Sequence, residues 1–312
     1  MQKTKIEWVK NPDGTQGYTW NPITGCLNHI NGMCKGGNFP CYAYRLAHGR
    51  LKERYRANKN IAGSNPNEGE FYVPVKMRDF EERDPFYPRF WSSRICEPII
   101  DGTPKGIFVC DMSDIFGIGV PDRWTQQVLQ IIRNDTVNRF YLLTKQPQNL
   151  LKFSPFPDNC WVGVSVCNDK MLDVAVDKLE DIQAKVKFIS FEPLLKHLTL
   201  SLDYAFYYSG ISWLIIGAQT KPTVMPKIEW VREIVEAADQ AGIPVFLKDS
   251  LDILLGQNSD FKKWQGEDSQ GNNLYGLRQE MPRLSRRSNY SAGFEPVSQK
   301  GANNGSGNTT NT

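Results

Sequence analysis

The sequence has no long hydrophobic run, which argues against one class of protein at once. No apolar stretch reaches the roughly 18 residues that a membrane-spanning helix needs. Its first residues, from Met1 to Glu7, also lack the apolar core of a secretory signal. The sequence therefore predicts a cytoplasmic protein that does not enter a membrane.

The sequence also has little net charge and none of the common catalytic motifs. The 312 residues include 37 Lys and Arg against 34 Asp and Glu, a formal net charge of +3. So small an excess does not by itself predict nucleic-acid binding, because a polyanion needs a concentrated basic face. With three histidines, no evident Ser–His–Asp arrangement and neither a phosphate-binding loop nor a dinucleotide glycine fingerprint, a hydrolase is the least favoured class.

Cysteine is present in an informative arrangement. Seven cysteines, an odd number without a secretory signal, favour metal binding or reactive thiols over a disulfide framework. Cys26, Cys34 and Cys41 fall within sixteen residues, in a segment rich in glycine between a predicted strand and a predicted helix. Three thiolates are typical of an iron–sulfur cluster with one open iron, whereas structural zinc takes a fourth ligand, for which His29 is the candidate. Spacing alone leaves open a [4Fe–4S] cluster, a zinc site, and cysteines without any ligand.

From residue 106 onwards, short apolar runs alternate with longer amphipathic ones. This alternation predicts an α/β protein with a parallel sheet covered on both faces. About seven β/α units suit a partial or complete TIM-type barrel, and a doubly wound open sheet is the alternative. The predicted strands are 17–23, 106–112, 139–144, 160–166, 186–191, 212–217 and 242–248. The predicted helices are 41–56, 122–133, 147–153, 169–184 and 228–241.

Two stretches interrupt this pattern. Residues 57–105 are rich in proline, glycine, asparagine and aromatics, and they predict an irregular insertion or lid that selects the substrate. Residues 286–312 end in a low-complexity run and predict a disordered tail. We therefore expect one barrel domain over residues 1–285.

Polar residues follow the predicted strands at their carboxyl ends, where parallel β/α proteins bind ligands. A bracing or ion-pairing role is the alternative for each of them. Cys167 also follows a strand end, whereas Cys110 and Cys160 are expected to be small hydrophobes inside strands. The candidate ligand-binding residues are Tyr42, Asp111, Ser113, Asp114, Lys145, Ser165, Glu192 and Lys248.

Several motifs, in one order, resemble the phage Gp37/Gp68-like family, a domain of unknown function, over roughly residues 5–285. The opening motif is WNPITGC, which ends at Cys26. Three departures from the family pattern are a six-residue gap between Cys34 and Cys41, Tyr44 in place of an acid, and Ala218-Gln219-Thr220 in place of Gly-Glu-Ser. The matching segments are 19–26, 41–43, 108–117, 142–147, 163–166, 190–195, 215–218, 244–248 and 280–282.

That family in turn resembles radical S-adenosylmethionine (SAM) proteins. The resemblance implies a TIM-type barrel, a [4Fe–4S] cluster on Cys26, Cys34 and Cys41, and SAM bound to the open iron. It also implies cleavage of SAM to a 5′-deoxyadenosyl radical and an electron donor such as a flavodoxin or ferredoxin. It names no substrate, so nucleic acid, peptide and small molecule remain open. The alternative function is a metal- or cluster-stabilised module that binds nucleic acid or protein without turnover.

Overall fold

The computed structural model describes residues 1–63, 83–100, 102–256, 258–267, 270 and 273–283. Residues Met1–Pro282 form one compact unit. None of the helices in these ranges is long and apolar enough to cross a membrane. The predicted tail, 286–312, and the middle of the predicted insertion, 64–82, lie outside the described residues.

One eight-stranded sheet organises the chain. Its strands are paired in chain order, and every neighbouring pair is parallel except the first, which is antiparallel. The predicted α/β class with a large, mostly parallel sheet is therefore confirmed. The strands are β1 (Gln2–Lys3), β2 (Tyr18–Trp20), β3 (Gly106–Val109), β4 (Arg139–Thr144), β5 (Cys160–Ser165), β6 (Val186–Phe191), β7 (Trp213–Ile216) and β8 (Val245–Leu247).

Helices follow most of these strands and cover the outer face of the sheet. Pro121 precedes α3, which buries Trp124, Val128 and Ile132 against the sheet. The side chain of Asn168 caps α4 by accepting a hydrogen bond from the Met171 amide (3.1 Å). The helices are α1 (Tyr42–His48), α2 (Lys52–Ala57), α3 (Asp122–Asn134), α4 (Asp169–Glu180), α5 (Leu202–Tyr208), α6 (Ile228–Gln240) and α7 (Asp252–Leu255).

One helix prediction needs correction. The single helix predicted over 41–56 is two helices, because α1 ends with Gly49 as its C-cap before α2 begins. The short helix predicted over 147–153 is present as the 3₁₀-helix Pro147–Phe153. The other 3₁₀-helices are Ser92–Arg94, Glu97–Ile100, Asp249–Leu251 and Ser259–Phe261.

Short strands lie outside the main sheet and form three hairpin-like units and one bridge between distant segments. The described ends of the predicted insertion are partly regular and packed, since Arg89–Phe90 pairs with Ile23–Thr24 and Phe86 is buried. The remaining pairs are His29–Ile30 with Met33–Cys34, Met33–Cys34 with Phe39–Pro40, Gln219–Thr220 with Thr223–Val224, and Lys262–Glu267 with Asn273–Leu277.

The inner face of the sheet is filled by aromatic rings around Trp8. The Trp8 ring lies 5.0 Å from Phe108 on β3, 5.6 Å from Tyr141 on β4, 6.1 Å from Phe188 on β6 and 6.1 Å from Trp213 on β7. One side chain reaches strands that are four positions apart in the sheet, so the sheet curls around it. Among the described residues, no backbone pairing joins β1 to β8, so the ladder of strands is open.

A candidate ligand cavity at the strand ends

A cavity of about 730 Å³ opens at the carboxyl ends of the parallel strands. Its floor includes Trp8, Phe108 and Leu143, so the aromatic layer lies directly beneath it. This volume suits a ligand of several hundred daltons or two smaller ones. All eleven residues predicted from the sequence line it: Cys26, Cys34, Cys41, Tyr42, Asp111, Ser113, Asp114, Lys145, Ser165, Glu192 and Lys248.

A small three-stranded sheet brings two of the cysteines together. Ile30 pairs with Met33 across Asn31 and Gly32, whose φ angles are +48° and +83°. Two central residues with positive φ form the type I′ turn that Asn-Gly favours in hairpins. The chain therefore turns back immediately after the first strand and carries Cys34 towards the cavity.

The six residues between Cys34 and Cys41 form a second hairpin. Cys34 pairs with Phe39, and the Cys41 amide donates to the carbonyl oxygen of Gly32 (2.8 Å). Because Cys41 lies two residues beyond Phe39, the register places it on the same face of this small sheet as Cys34. The longer spacing between the two cysteines is thus absorbed by a turn, and the two thiols stay neighbours.

The first cysteine is fixed from the other side. Gly25 has a φ of +89°, and a Cβ there would lie 2.4 Å from the carbonyl oxygen of Tyr87, so only glycine fits. The Ser113 hydroxyl donates to the Gly25 carbonyl oxygen (2.5 Å), and the Cys26 amide donates to that of Phe86 (2.9 Å). Cys26 is therefore held between the end of β3 and the segment that begins at residue 83.

The three cysteines are free, half-buried thiols. Burial, followed by the charge of Asp114, raises the pKa of Cys26 to about 12. Burial also raises the pKa of Cys34, while the ammonium group of Lys145 opposes that rise. Cys34 and Cys41 each contribute to the raised pKa of Cys26, as expected for thiols that share one wall of the cavity.

In the part of the chain that the structure describes, no three histidine, cysteine, aspartate or glutamate side chains converge as ligands of one metal ion. His29, the candidate fourth zinc ligand, has a structural environment. Its Nδ1 accepts from the Gly32 amide (3.3 Å), and its ring packs 4.8 Å from Tyr44 and 5.5 Å from Phe86.

Asp111 connects β2, β3 and α1 at the cavity wall. Its carboxylate accepts from the Asn21 amide group (2.5 Å), and its carbonyl oxygen accepts from the Tyr42 hydroxyl. Burial raises the pKa of Asp111, with the Asn21 hydrogen bond opposing this effect. Nearly half of Tyr42 is exposed at the rim, yet desolvation of its hydroxyl raises its pKa well above the ordinary value.

Asp114 braces the loop after β3. Its carboxylate accepts from the Thr144 hydroxyl (2.7 Å), the Lys145 amide (2.9 Å) and the Phe116 amide (3.1 Å). Burial raises the pKa of this carboxyl, and the donated hydrogen bonds oppose that rise. With three donors from the chain, Asp114 is held as a wall residue whose carboxylate fixes the end of β4.

Lys145 projects into the cavity beneath the small three-stranded sheet of residues 29–40, which we call the cysteine hairpin. Its Nζ donates to the Ser165 hydroxyl (3.1 Å) and lies 5.6 Å from the Phe39 ring. Burial alone would lower the pKa of Lys145, but the Cys34 and Cys167 thiols raise it above its ordinary value, as do the nearby carboxylates. The ammonium group therefore stays charged next to the thiols.

The opposite wall holds a lysine between two carboxylates. Lys248 Nζ lies 3.3 Å from Glu7 Oε2 and also pairs with Glu192. Burial would lower the pKa of Lys248, but Glu192 and then Glu7 raise it. Glu192 and Lys248 thus lie together as predicted strand-end residues, and Glu7 completes the group from the N-terminal segment.

Sequence reasoning missed two residues of this site. Glu7 lies in the segment before β2 and does not follow a predicted strand, so the strand-end rule could not place it beside Lys248. Ser190 lies on β6 directly across from Ser165 and lines the cavity, and within the described residues its buried hydroxyl has no hydrogen-bond partner. The sequence could have indicated Ser190, because residues two positions apart on a strand face the same side and Phe188 faces inward.

The tip of the second hairpin allows a stability prediction. A Cβ on Gly37, where φ is +110°, would lie 2.9 Å from the Cys167 sulfur. We expect Gly37→Ala to lower the free energy of unfolding by about 1–3 kcal/mol more than Gly14→Ala, because only the first adds overpacking to the positive-φ strain. Gly14 is the matched control, with a φ of +86° and nothing within 4 Å. Equal losses in urea unfolding would show that the hairpin tip does not pack on Cys167.

Comparison with protein families assigns the chain. Residues 3–282 match a family described as a protein of unknown function, DUF5131. The chain belongs to the DUF5131 family. The match spans the main sheet and the cavity, so both belong to the DUF5131 domain. It does not carry the phage Gp37/Gp68 description that the motifs suggested, and the DUF5131 chain matches no curated protein.

Solved structures similar to this DUF5131 chain include two of spore photoproduct lyase. One, complexed with dinucleoside spore photoproduct, is 15% identical over 86% of this chain and 70% of that chain, with a TM-score of 0.36. The other, a mutant with bound AdoMet and dinucleoside spore photoproduct, is 15% identical over 88% and 73%, with a TM-score of 0.35. Similarity at this level carries no argument about the chemistry of the DUF5131 chain.

Proposed function

We propose that this protein is a radical SAM-type enzyme that holds a [4Fe–4S] cluster on Cys26, Cys34 and Cys41. The observation that carries the proposal is the position of three free thiols on one wall of a cavity at the carboxyl ends of a parallel sheet. Ligand sites of β/α proteins lie at this edge. We also propose that the curled sheet, wrapped around Trp8, is a partial barrel of the radical SAM kind.

The donor set fits the cluster. In a [4Fe–4S] cluster each thiolate binds a different iron atom, so the thiols need a common wall rather than one point of convergence. Cys34 and Cys41 share a face of the small sheet, and Cys26 approaches from the end of β3. When bound, the reduced cluster would supply the electron that cleaves the SAM sulfonium and generates a carbon radical.

The chain's own residues would hold SAM and its substrate. The Lys145 ammonium and the Ser165 hydroxyl, 3.1 Å apart beneath the cysteine hairpin, are suited to a carboxylate group. Asp111, Glu192 and Ser190 offer oxygen atoms to ribose hydroxyls or amino groups. The aromatic floor closes the cavity against water from below, which protects a radical from quenching.

An experiment on the whole chain separates this proposal from the alternative of a metal-stabilised binding module. Protein purified anaerobically is expected to be brown and to contain about four irons per chain. After reduction by dithionite and incubation with SAM, it is expected to release 5′-deoxyadenosine. A colourless protein with one zinc per chain after anaerobic reconstitution would refute the proposal, and an intact cluster that never yields 5′-deoxyadenosine would favour the module.

A further inference from the structure

Two arginines lie near one tryptophan ring and a third precedes them in the chain, and we call them the arginine cluster: Arg50, Arg54 and Arg94. Arg50 and Arg54 are exposed at the start of α2, and Arg94 ends the 3₁₀-helix Ser92–Arg94. The Arg94 guanidinium carbon lies 3.8 Å from the centroid of the Trp91 ring, and that of Arg54 lies 6.0 Å from it. Trp91 is therefore a platform for two of the three cations.

This platform is fixed rather than loose. The Trp91 indole N–H donates to the Thr24 hydroxyl (2.8 Å), and the ring packs 5.7 Å from Tyr55. Arg94 Nη1 donates to the carbonyl oxygen of Asn21 (3.0 Å). A guanidinium stacked on an aromatic face loses little further side-chain freedom when the rest of its N–H fork binds an anion.

The positive charges of the cluster act on one buried hydroxyl group. Burial raises the pKa of the Tyr55 hydroxyl to about 12; the charge of Arg94 lowers it, that of Asp111 raises it, and those of Arg54 and Arg50 lower it. Burial lowers the pKa of Arg94 and the charge of Arg54 lowers it further, while Tyr55 and Glu97 oppose that change. Like charges held this close repel each other unless an anion neutralises them.

In the described residues around the cluster no acid forms an ion pair with it, although the charge of Glu97 does raise the pKa of Arg94. Glu53 pairs with Arg56 at 3.8 Å, and Glu97 pairs with the amino terminus. In residues 1–63 and 83–100, no carboxylate forms an ion pair with a member of the arginine cluster. The cluster is thus a concentrated positive charge with open hydrogen-bond donors, on a protein whose overall charge is nearly balanced.

We propose that the arginine cluster binds a phosphate group of a ligand whose other end enters the cavity. Guanidinium forks match phosphate oxygens in bidentate geometry, and two of them balance the charge of a doubly ionised phosphate group. The connection to the cavity is short, because the Asn21 carbonyl bonded to Arg94 belongs to the residue whose side chain holds Asp111. This inference does not depend on the iron–sulfur cluster, so each proposal can fail alone.

Two probes test the proposal and distinguish the source of the phosphate. Binding of pyrophosphate to the full chain is measured by calorimetry, and binding of fluorescein-labelled hexathymidylate by anisotropy. We expect Arg54→Gln and Arg94→Gln each to weaken binding about tenfold. Arg94→Lys should weaken it nearly as much, because lysine lacks the planar fork. Arg133→Gln, at an exposed arginine on α3, is the matched control and should bind as the wild type does.

The outcomes are distinct. Tight pyrophosphate binding that depends on the cluster assigns the site to a small phosphorylated ligand. If instead only the oligonucleotide binds, and its uncharged methylphosphonate analogue does not, the phosphate belongs to a nucleic-acid backbone. Loss of Arg54 should then also reduce the salt dependence of binding by roughly 0.7 in the log–log slope. No binding of either probe, or equal binding by the variants and the Arg133 control, overturns the proposal. Because Arg50 is exposed, Arg50→Gln provides a further test should Arg94 variants fold poorly.

Discussion

Alanine at Cys26, Cys34 or Cys41 is expected to remove the iron–sulfur cluster entirely. Three thiolates are the whole protein ligand set that we propose, so one loss leaves two irons without a protein ligand. The measurement is iron and acid-labile sulfide per chain in anaerobically reconstituted protein, together with the visible absorbance of the cluster.

Two other cysteines provide matched controls for this result. Cys96 is exposed, in the segment between residue 83 and β3. Cys167 is buried against the tip of the second hairpin, with its thiol 3.9 Å from the Gly36 carbonyl oxygen. We expect Cys96→Ala and Cys167→Ala to keep all the iron. If Cys167→Ala loses the cluster while Cys41→Ala keeps it, the ligand set is a different one and our assignment is wrong.

Trp8→Ala is expected to lower the free energy of unfolding by about 3–5 kcal/mol, the usual effect of emptying a large aromatic site in a core. Trp8 is 1% exposed and touches rings from four strands, so no single neighbour can move in to fill the space. The variant should also loosen the cavity, whose floor includes this ring. Urea unfolding followed by circular dichroism measures the change.

A conservative substitution and a surface substitution serve as comparisons for the stability loss in Trp8→Ala. Trp8→Phe keeps most of the apolar contact and removes an indole N–H that has no partner within the described residues, so its effect should be much smaller. Ile253→Ala, at a side chain that is 88% exposed, should change stability by less than about 0.5 kcal/mol. If Trp8→Ala proves as mild as Ile253→Ala, the ring is not a structural centre of the sheet.

Most of the sheet was predictable because its strands are apolar on both faces. β4 and β6 begin and end where the apolar runs 139–144 and 186–191 do. Runs of this kind have one stable placement, inside a covered parallel sheet. The break between α1 and α2 was harder to predict, because the apolar pattern continues across Gly49 and only the backbone shows that the helix ends there.

The site was predictable to the extent that it follows the strand-end rule. Lys145, Ser165 and Lys248 meet at the cavity because parallel strands bring their carboxyl ends to one edge. The cysteine hairpin also had a local signal, the Asn31-Gly32 pair, which is typical of a type I′ turn.

Long-range contacts carried no such signal. Nothing near Glu7 in the sequence places it beside Lys248, about 240 residues away, and nothing near Arg54 places it at the same tryptophan ring as Arg94. Contacts of this kind depend on how the sheet curls and on where the segment after residue 83 packs. The arginine cluster also shows that local charge need not follow the nearly balanced total charge of the chain.

The aromatic layer beneath the cavity restricts the route by which ligands enter, as well as the shape of the cavity. Trp8, Tyr141, Trp161, Phe188 and Trp213 fill the sheet below the floor, so no ligand reaches the cavity through this aromatic layer. If SAM and a substrate share the cavity, as the proposed function requires, we expect the ligand nearest the floor to bind first and to leave last.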